Sequence, residues 1–400
     1  QAASPMVNGN TEWYSDFKNA DGTHLMPQTY DKELWKKAMD AAEEAILQGE
    51  ADGFGLYAPS MATEAFDKGY ENYRAAFLGQ NAASFFNDTE HLFVFANQST
   101  VSYCIKNMAP RMLPSYNNQG WRGYFVPTWE SVQCFLSKNG LPMHVDPLTK
   151  DAIADPTQLV DSPDYPGEKT SILHINREPR FYASVGFDRG AYDLNGETFM
   201  LKCRRGEPQQ WDGNISNEYQ TCTGYYVKKW IHKSNTFDNT AKTFTYHKFA
   251  FPYIRMAEPY MDYVEACVQY NGSLDSDALE YLNMIRNRAG LPNFEESWAL
   301  VGRMPTGKDL LDAVLRERLS EFVFEGRWHY DLRRYKVVQE LLDHKSRSWN
   351  LDGTTAEDFY KLTEAHEVDT RTFTAPKNYW IAIPQEQLTI NSKLVQNPGY

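Results

Sequence analysis

Apolar side chains recur at three- and four-residue steps in several stretches, and each such stretch predicts an α-helix with one face against a core. In residues Asp31 to Leu47 the stripe is Leu34, Trp35, Ala38, Ala41, Ala42, Ala45 and Ile46, closed by Gly49. A second helix is expected from about Thr63 to Leu78, and the alanines of the two suggest a pair of the kind that tetratricopeptide repeats stack. From Pro252 onward Ile254, Ala257, Met261, Val264 and Val268 make one stripe, and Asn271 and Gly272 turn the chain. Ala278, Leu282, Ile285 and Ala289 then make the next, with Gly290 at its C-terminal cap. The stretch Leu310 to Tyr335 carries Leu311, Val314, Leu315, Leu319, Phe322 and Val323 on one face. Its other face holds Arg316, Glu317, Arg318, Glu321, Glu325 and Arg327, and Thr306 with Asp309 stands where an N-cap and its third helical residue belong.

Between these helices the pattern breaks down. Glu90 to Ala96, Arg180 to Phe187 and Tyr225 to Ile231 read as short strands, and Val132 to Leu136 as a helix. Ser115 to Thr128, Gly140 to Glu168 and Asp188 to Cys222 are turn-rich and polar. The chain therefore reads as mainly α with a loop-rich region and a few short strands. Its divisions are 1–30 as a linker or the end of a preceding region, 31–251 as a helical hairpin plus loops, and 252–400 as a helical region.

Composition narrows the function. A net charge of −13 and a pI near 5.2 leave no basic face for a nucleic-acid partner. No run of about 18 apolar residues is long enough to span a bilayer. The five cysteines lack C-x-x-C spacing, and no carboxylate group has the pattern of a calcium loop, so neither a metal nor another cofactor is expected. Gly53, Gly55 and Ala58 match G-x-G-x-x-A, but a helix and not a strand precedes them, so they read as a helix-ending loop. Neither H-E-x-x-H nor G-x-S-x-G is present, and no catalytic residue is assigned. The cluster of acids and arginines from Arg316 to Arg334 is read as a structural clamp.

This last stretch resembles the C-terminal signature of the SusD/RagB family, through Glu317, Arg318, Glu321, Glu325, Gly326, Asp331, Leu332, Arg333 and Arg334. Leu319 and Tyr335 depart from it, and Arg327-Trp328 falls one position early. Further segments resemble the family in the same order: Arg177–Val185, Thr223–Lys229, Ile254–Ala266, Asn283–Leu291 and the ending Ile383–Tyr400. Pro259 is a departure expected to bend its helix. The resemblance implies a SusD-like fold with tetratricopeptide-like helical hairpins, and a chain that lacks part of the family's N-terminal region. It also implies a surface-exposed bacterial lipoprotein of the Bacteroidetes, held at the outer membrane by an N-terminal lipid anchor that this sequence does not contain. Such a protein captures oligosaccharide or polysaccharide for a SusC-like TonB-dependent transporter; capture of peptides, or much less readily glycoside hydrolysis, is the alternative.

The family's motifs concern scaffold, so the ligand site has to be chosen on chemistry. Pyranose rings need an aromatic face and nearby hydrogen-bonding side chains. Two loop stretches offer both, one with Trp121 and Tyr124, the other with Tyr192, Arg204, Trp211 and Asn214. For any single ring, packing of the loop onto the scaffold is the competing role. Cys203 and Cys222 flank the second stretch; either they form a bridge worth about 3 kcal/mol, or all five cysteines are thiols.

Overall fold

A computed structural model describes residues 1–79, 89–112, 120–211, 221–365 and 371–400. Its longer helices are α1 (Glu33–Ala51), α2 (Ala65–Leu78), α3 (Gln98–Met108), α4 (Ala257–Asn271), α5 (Ser276–Arg288), α6 (Gly307–Glu321) and α7 (Arg327–Arg334). The strands form two-stranded antiparallel ladders and no larger sheet among the described residues. These are β1 (His91–Phe95) with β10 (Phe251–Arg255), β2 (Leu159–Asp161) with β3 (Lys169–Ser171), and β4 (Val185–Phe187) with β7 (Tyr225–Val227). The others are β5 (Ala191–Leu194) with β6 (Glu197–Met200), β8 (Thr236–Asp238) with β9 (Thr243–Thr245), and β11 (Arg347–Trp349) with β12 (Leu362–Glu364). The mainly α reading holds, with the loop-rich middle pinned by these ladders.

Helices α4 and α5 form the expected hairpin, with Gly272 in the left-handed region (φ 76°) at the turn. The pair expected from α1 and α2 does not close on itself. Helix α1 packs chiefly along α4, while α2 packs on α5 and on the short helix Pro179–Ser184. Gly69 explains the second contact: a Cβ there would stand 2.3 Å from the Ala289 carbonyl oxygen, so only glycine lets α2 approach the end of α5. One hydrophobic cluster fills the helical side, around Ile46, Tyr260, Val264, Leu282, Val314 and Phe322. Another, centred on Phe181, Phe187, Tyr225, Trp230 and Trp349, sits under the ladders.

Several local expectations are corrected. Arg180 to Phe187 is half helix, because Pro179 at the first helical position favours helix and strand begins only at Val185. The helix expected over Val132 to Leu136 is Trp129–Gln133, started by the Thr128 side chain accepting from Ser131 N–H. Pro259 bends nothing: α4 starts at Ala257, so the proline occupies the first turn, where its missing N–H has no helical acceptor. Residues ahead of α4 form β10 instead. Thr306 occupies the N-cap of α6, but its side chain makes no capping hydrogen bond.

The charged face of α6 and of the turn after it points inward. Glu317, Glu321 and Glu325 are buried and meet Arg180, Arg255, Arg286, Arg288 and Lys229. Glu178 pairs with Arg180, and Glu90 pairs with Arg255 and Arg288, so five cations face five carboxylates. Charges so placed are tolerated only when paired and hydrogen-bonded. Burial alone would raise the Glu321 pKa, but Arg288, Arg255 and Arg180 outweigh it and hold it at about 2. A second network joins Arg318 to Asp262 and Asp331, and Arg334 to Glu265 and Asp331. The clamp of the signature is thus a buried ion lattice tying α6 to α4, α5, α7, β10 and the Pro179–Ser184 helix.

Candidate ligand-binding surface

Helix α3 begins where the Asn97 side chain accepts from Ser99 and Thr100 N–H. Residues 122–125 cross its far end, with Arg122 N–H donating to Lys106 O (2.9 Å) and Tyr124 and Phe125 N–H donating to Asn107 O (2.9 and 3.0 Å). Gly123 (φ 59°) permits this crossing, since a Cβ there would stand 2.6 Å from the Tyr226 ring. The crossing collects three rings. Tyr103 is 55% exposed and Phe125 39% exposed, with centroids 6.4 Å apart, and Tyr124 meets Phe125 edge-on at 5.1 Å. Hydrogen bonding to Tyr124 raises the Tyr103 pKa, so the Tyr103 phenol stays a protonated donor near neutrality. The Arg122 guanidinium lies 3.4 Å from the Tyr124 hydroxyl. Apolar ring surface beside phenol and guanidinium donors is what a sugar's C–H face and hydroxyls require.

The expected site residues divide on burial. Tyr124 is half-buried and belongs to this surface. Trp121 is 3% exposed: its indole N–H donates to Asn195 Oδ1 (3.3 Å), and its ring meets Phe244 at 4.9 Å. It anchors the crossing to the β8–β9 ladder, where Phe244 and Tyr246 stack at 5.5 Å. Tyr192 is fully buried and donates to Val227 O (2.6 Å), so it offers no face to a ligand. Arg204 is buried against Asp188 (3.0 Å) and Lys169 O (2.6 Å). Trp211 is 8% exposed at the end of its described segment, and Asn214 lies outside the described residues.

Even so, the two stretches meet. Arg111 donates to Pro208 O and Gln210 O (both 2.8 Å), and the Gln209 side chain donates back to Arg111 O (2.9 Å). The chain before residue 113 and the chain before residue 212 are therefore fastened side by side. Tyr103 and Phe125 were not among the expected site residues. Tyr103 falls on the polar side of an amphipathic helix, and that placement was the available signal. Cys203 is buried and no disulfide joins it to Cys222. No group of three or more metal-ligating side chains occurs among the described residues.

The chain belongs to the SusD family, whose model matches residues 84–400. Among solved structures it is similar to BT4246, with 23% identity and a TM-score of 0.82 over 100% of this chain and 68% of that one. It is also similar to a SusD-like protein, BF3747, from Bacteroides fragilis NCTC 9343, with 22% identity and a TM-score of 0.59 over 98% of this chain and 76% of that one. These likenesses are likenesses of fold. No curated protein matches the chain.

Proposed function

We propose that this protein binds oligosaccharide or polysaccharide at a bacterial cell surface and passes it to a SusC-like TonB-dependent transporter. A lipid anchor on an N-terminal segment holds it at the outer membrane. The observation that carries the binding role is the set of exposed Tyr103 and Phe125 with half-buried Tyr124 and Arg122, the crossing being fixed to α3 by backbone hydrogen bonds. Trp211 and Trp121 contribute from either side of the Arg111 fastening, Trp121 by holding the crossing in place. The role needs no chemistry, so ligand is released unchanged. No described helix is long and apolar enough to cross a membrane.

A panel of glycans and peptides, scored for binding and for product release, tests the class. Isothermal titration of the best glycan against Tyr103→Ala, Tyr124→Ala and Trp211→Ala tests the site. The ring faces lost at Tyr103 and Tyr124 are each worth on the order of 1.5 to 3 kcal/mol, or roughly 10- to 150-fold in affinity, while Trp211→Ala, at a ring 8% exposed, is read beside its melting temperature. Phe93→Ala is the control, because Phe93 and Tyr253 form a separate exposed pair on the β1–β10 ladder (5.9 Å, stacked). Parent-like affinity in all three site variants with loss in Phe93→Ala would move the site to that ladder.

A further inference from the structure

The apolar stripe of α6 is not fully covered. Val314 and Phe322 are buried, whereas Leu311, Leu315 and Leu319, at four-residue steps, are only half-buried. Leu315 joins none of the hydrophobic clusters. These leucines line a cleft of about 790 Å³ together with Leu332, Val337 and Leu341. That volume is ordinary for a small-molecule site. At a rise of about 1.5 Å per residue, the line from Lys308 to Leu319 runs roughly 17 Å, so the cleft is elongated.

Among the guanidiniums lining the cleft, Arg316 has no carboxylate partner within the described residues. The buried guanidiniums of the two ion networks all meet carboxylates, and Arg177 donates to three carbonyls. Arg316, half-buried on the cleft wall, forms no ion pair among the described residues and makes a single hydrogen bond, to Gln133 O (2.9 Å). Burial disfavours its charge. The carboxylates around it are committed or peripheral. Asp331 is taken by Arg318 and Arg334, while Asp309, Asp312 and Glu340 are exposed at the rim. An anion reaching Arg316 would supply the forked partner that guanidinium groups in low-dielectric surroundings require.

We propose that this cleft binds a small linear amphiphile, an acyl chain ending in a carboxylate, with the chain along Leu311, Leu315 and Leu319 and the carboxylate on Arg316. The site is independent of the proposed glycan surface. Decanoate is the probe, with decan-1-ol as its uncharged counterpart, in isothermal titration of the whole chain. Saturable decanoate binding, at least tenfold tighter than decan-1-ol, is expected. Arg316→Gln should bring the two probes to within twofold of each other, and Arg316→Lys should keep part of the preference. Leu315→Gln should weaken both at least tenfold, and its melting temperature should stay close to that of the parent because Leu315 lies outside the clusters. Absence of saturable decanoate binding, equal binding of the two probes, or parent-like decanoate affinity in Leu315→Gln overturns the proposal. If Arg316→Gln fails to fold, the decanoate-to-decanol ratio in the parent and the Leu315→Gln result decide it.

Discussion

Replacing Glu321 by glutamine keeps the shape of the side chain and removes one charge from the centre of the larger ion network. Glu321 accepts from Arg180 Nη1 (3.0 Å), from Arg255 Nη1 (2.7 Å) and from Arg288. Its loss leaves five buried cations facing four carboxylates. Breaking a buried pair from one side costs about 3–5 kcal/mol, because the remaining charge is desolvated without compensation. For a chain of 400 residues the unfolding entropy is roughly 0.8 kcal/mol per kelvin, so the midpoint should fall by about 4–6 °C. The pH dependence gives an independent reading. The folded pKa of about 2 lies below the ordinary 4.5, so this carboxylate's contribution is present above pH 4.5 and is lost as pH falls toward 2. The shift corresponds to about 3 kcal/mol. Differential scanning calorimetry from pH 7 to pH 2, with Glu321→Gln beside the exposed Glu44→Gln, checks both. A Glu321→Gln midpoint within 1 °C of the parent at pH 7, or an acid slope identical in both, would show that the network is not what holds α6.

Gly69→Ala should destabilise by about 1–3 kcal/mol, since the new methyl meets the Ala289 backbone at 2.3 Å and no flexible side chain can yield; chemical denaturation measures it. Trp328→Ala should lower the melting temperature with glycan affinity unchanged, because its indole N–H donates to Leu319 O (3.1 Å) and its ring packs on the core under the ladders. His232 stacks on His247 at 3.8 Å, and burial, then His247 and Arg74, lower its pKa to about 4. A depressed histidine stabilises the fold while neutral, so its contribution is lost as pH falls from 6.5 toward 4; an NMR titration midpoint at or above 6 for His232 refutes this.

Helix positions were legible because periodicity reports which face is covered, and α1, α2, α5 and α6 fall close to where their stripes put them. Partner choice was not legible. Nothing in Leu34 to Ile46 says that α1 will lie along α4 and not along α2, and the decisive feature, Gly69 against Ala289, involves residues far apart in sequence. The clamp role of the charged face of α6 was legible, but its partners were not: Arg180, Arg255 and Glu90 lie far away in sequence, and only they make the face an interior one.

The proposed site was partly legible for a physical reason that also bears on how it would bind. Aromatic residues in loops signal contact surface or local core with equal strength, and Tyr192 and Trp121 proved to be core while Tyr124 did not. What separates them is the backbone: the crossing at 122–125 is tied to the end of α3 through Lys106 and Asn107, and Gly123 alone lets it pass over Tyr226. Rings held this way lose little freedom when a ligand arrives, which lowers the cost of binding. Gly123→Ala therefore separates position from chemistry: every ring and donor remains, but the added methyl meets Tyr226 at 2.6 Å and the residue must hold φ near 59°. Glycan affinity should fall at least tenfold in that variant, as in Tyr124→Ala, and undiminished affinity would show that the crossing does not position the site.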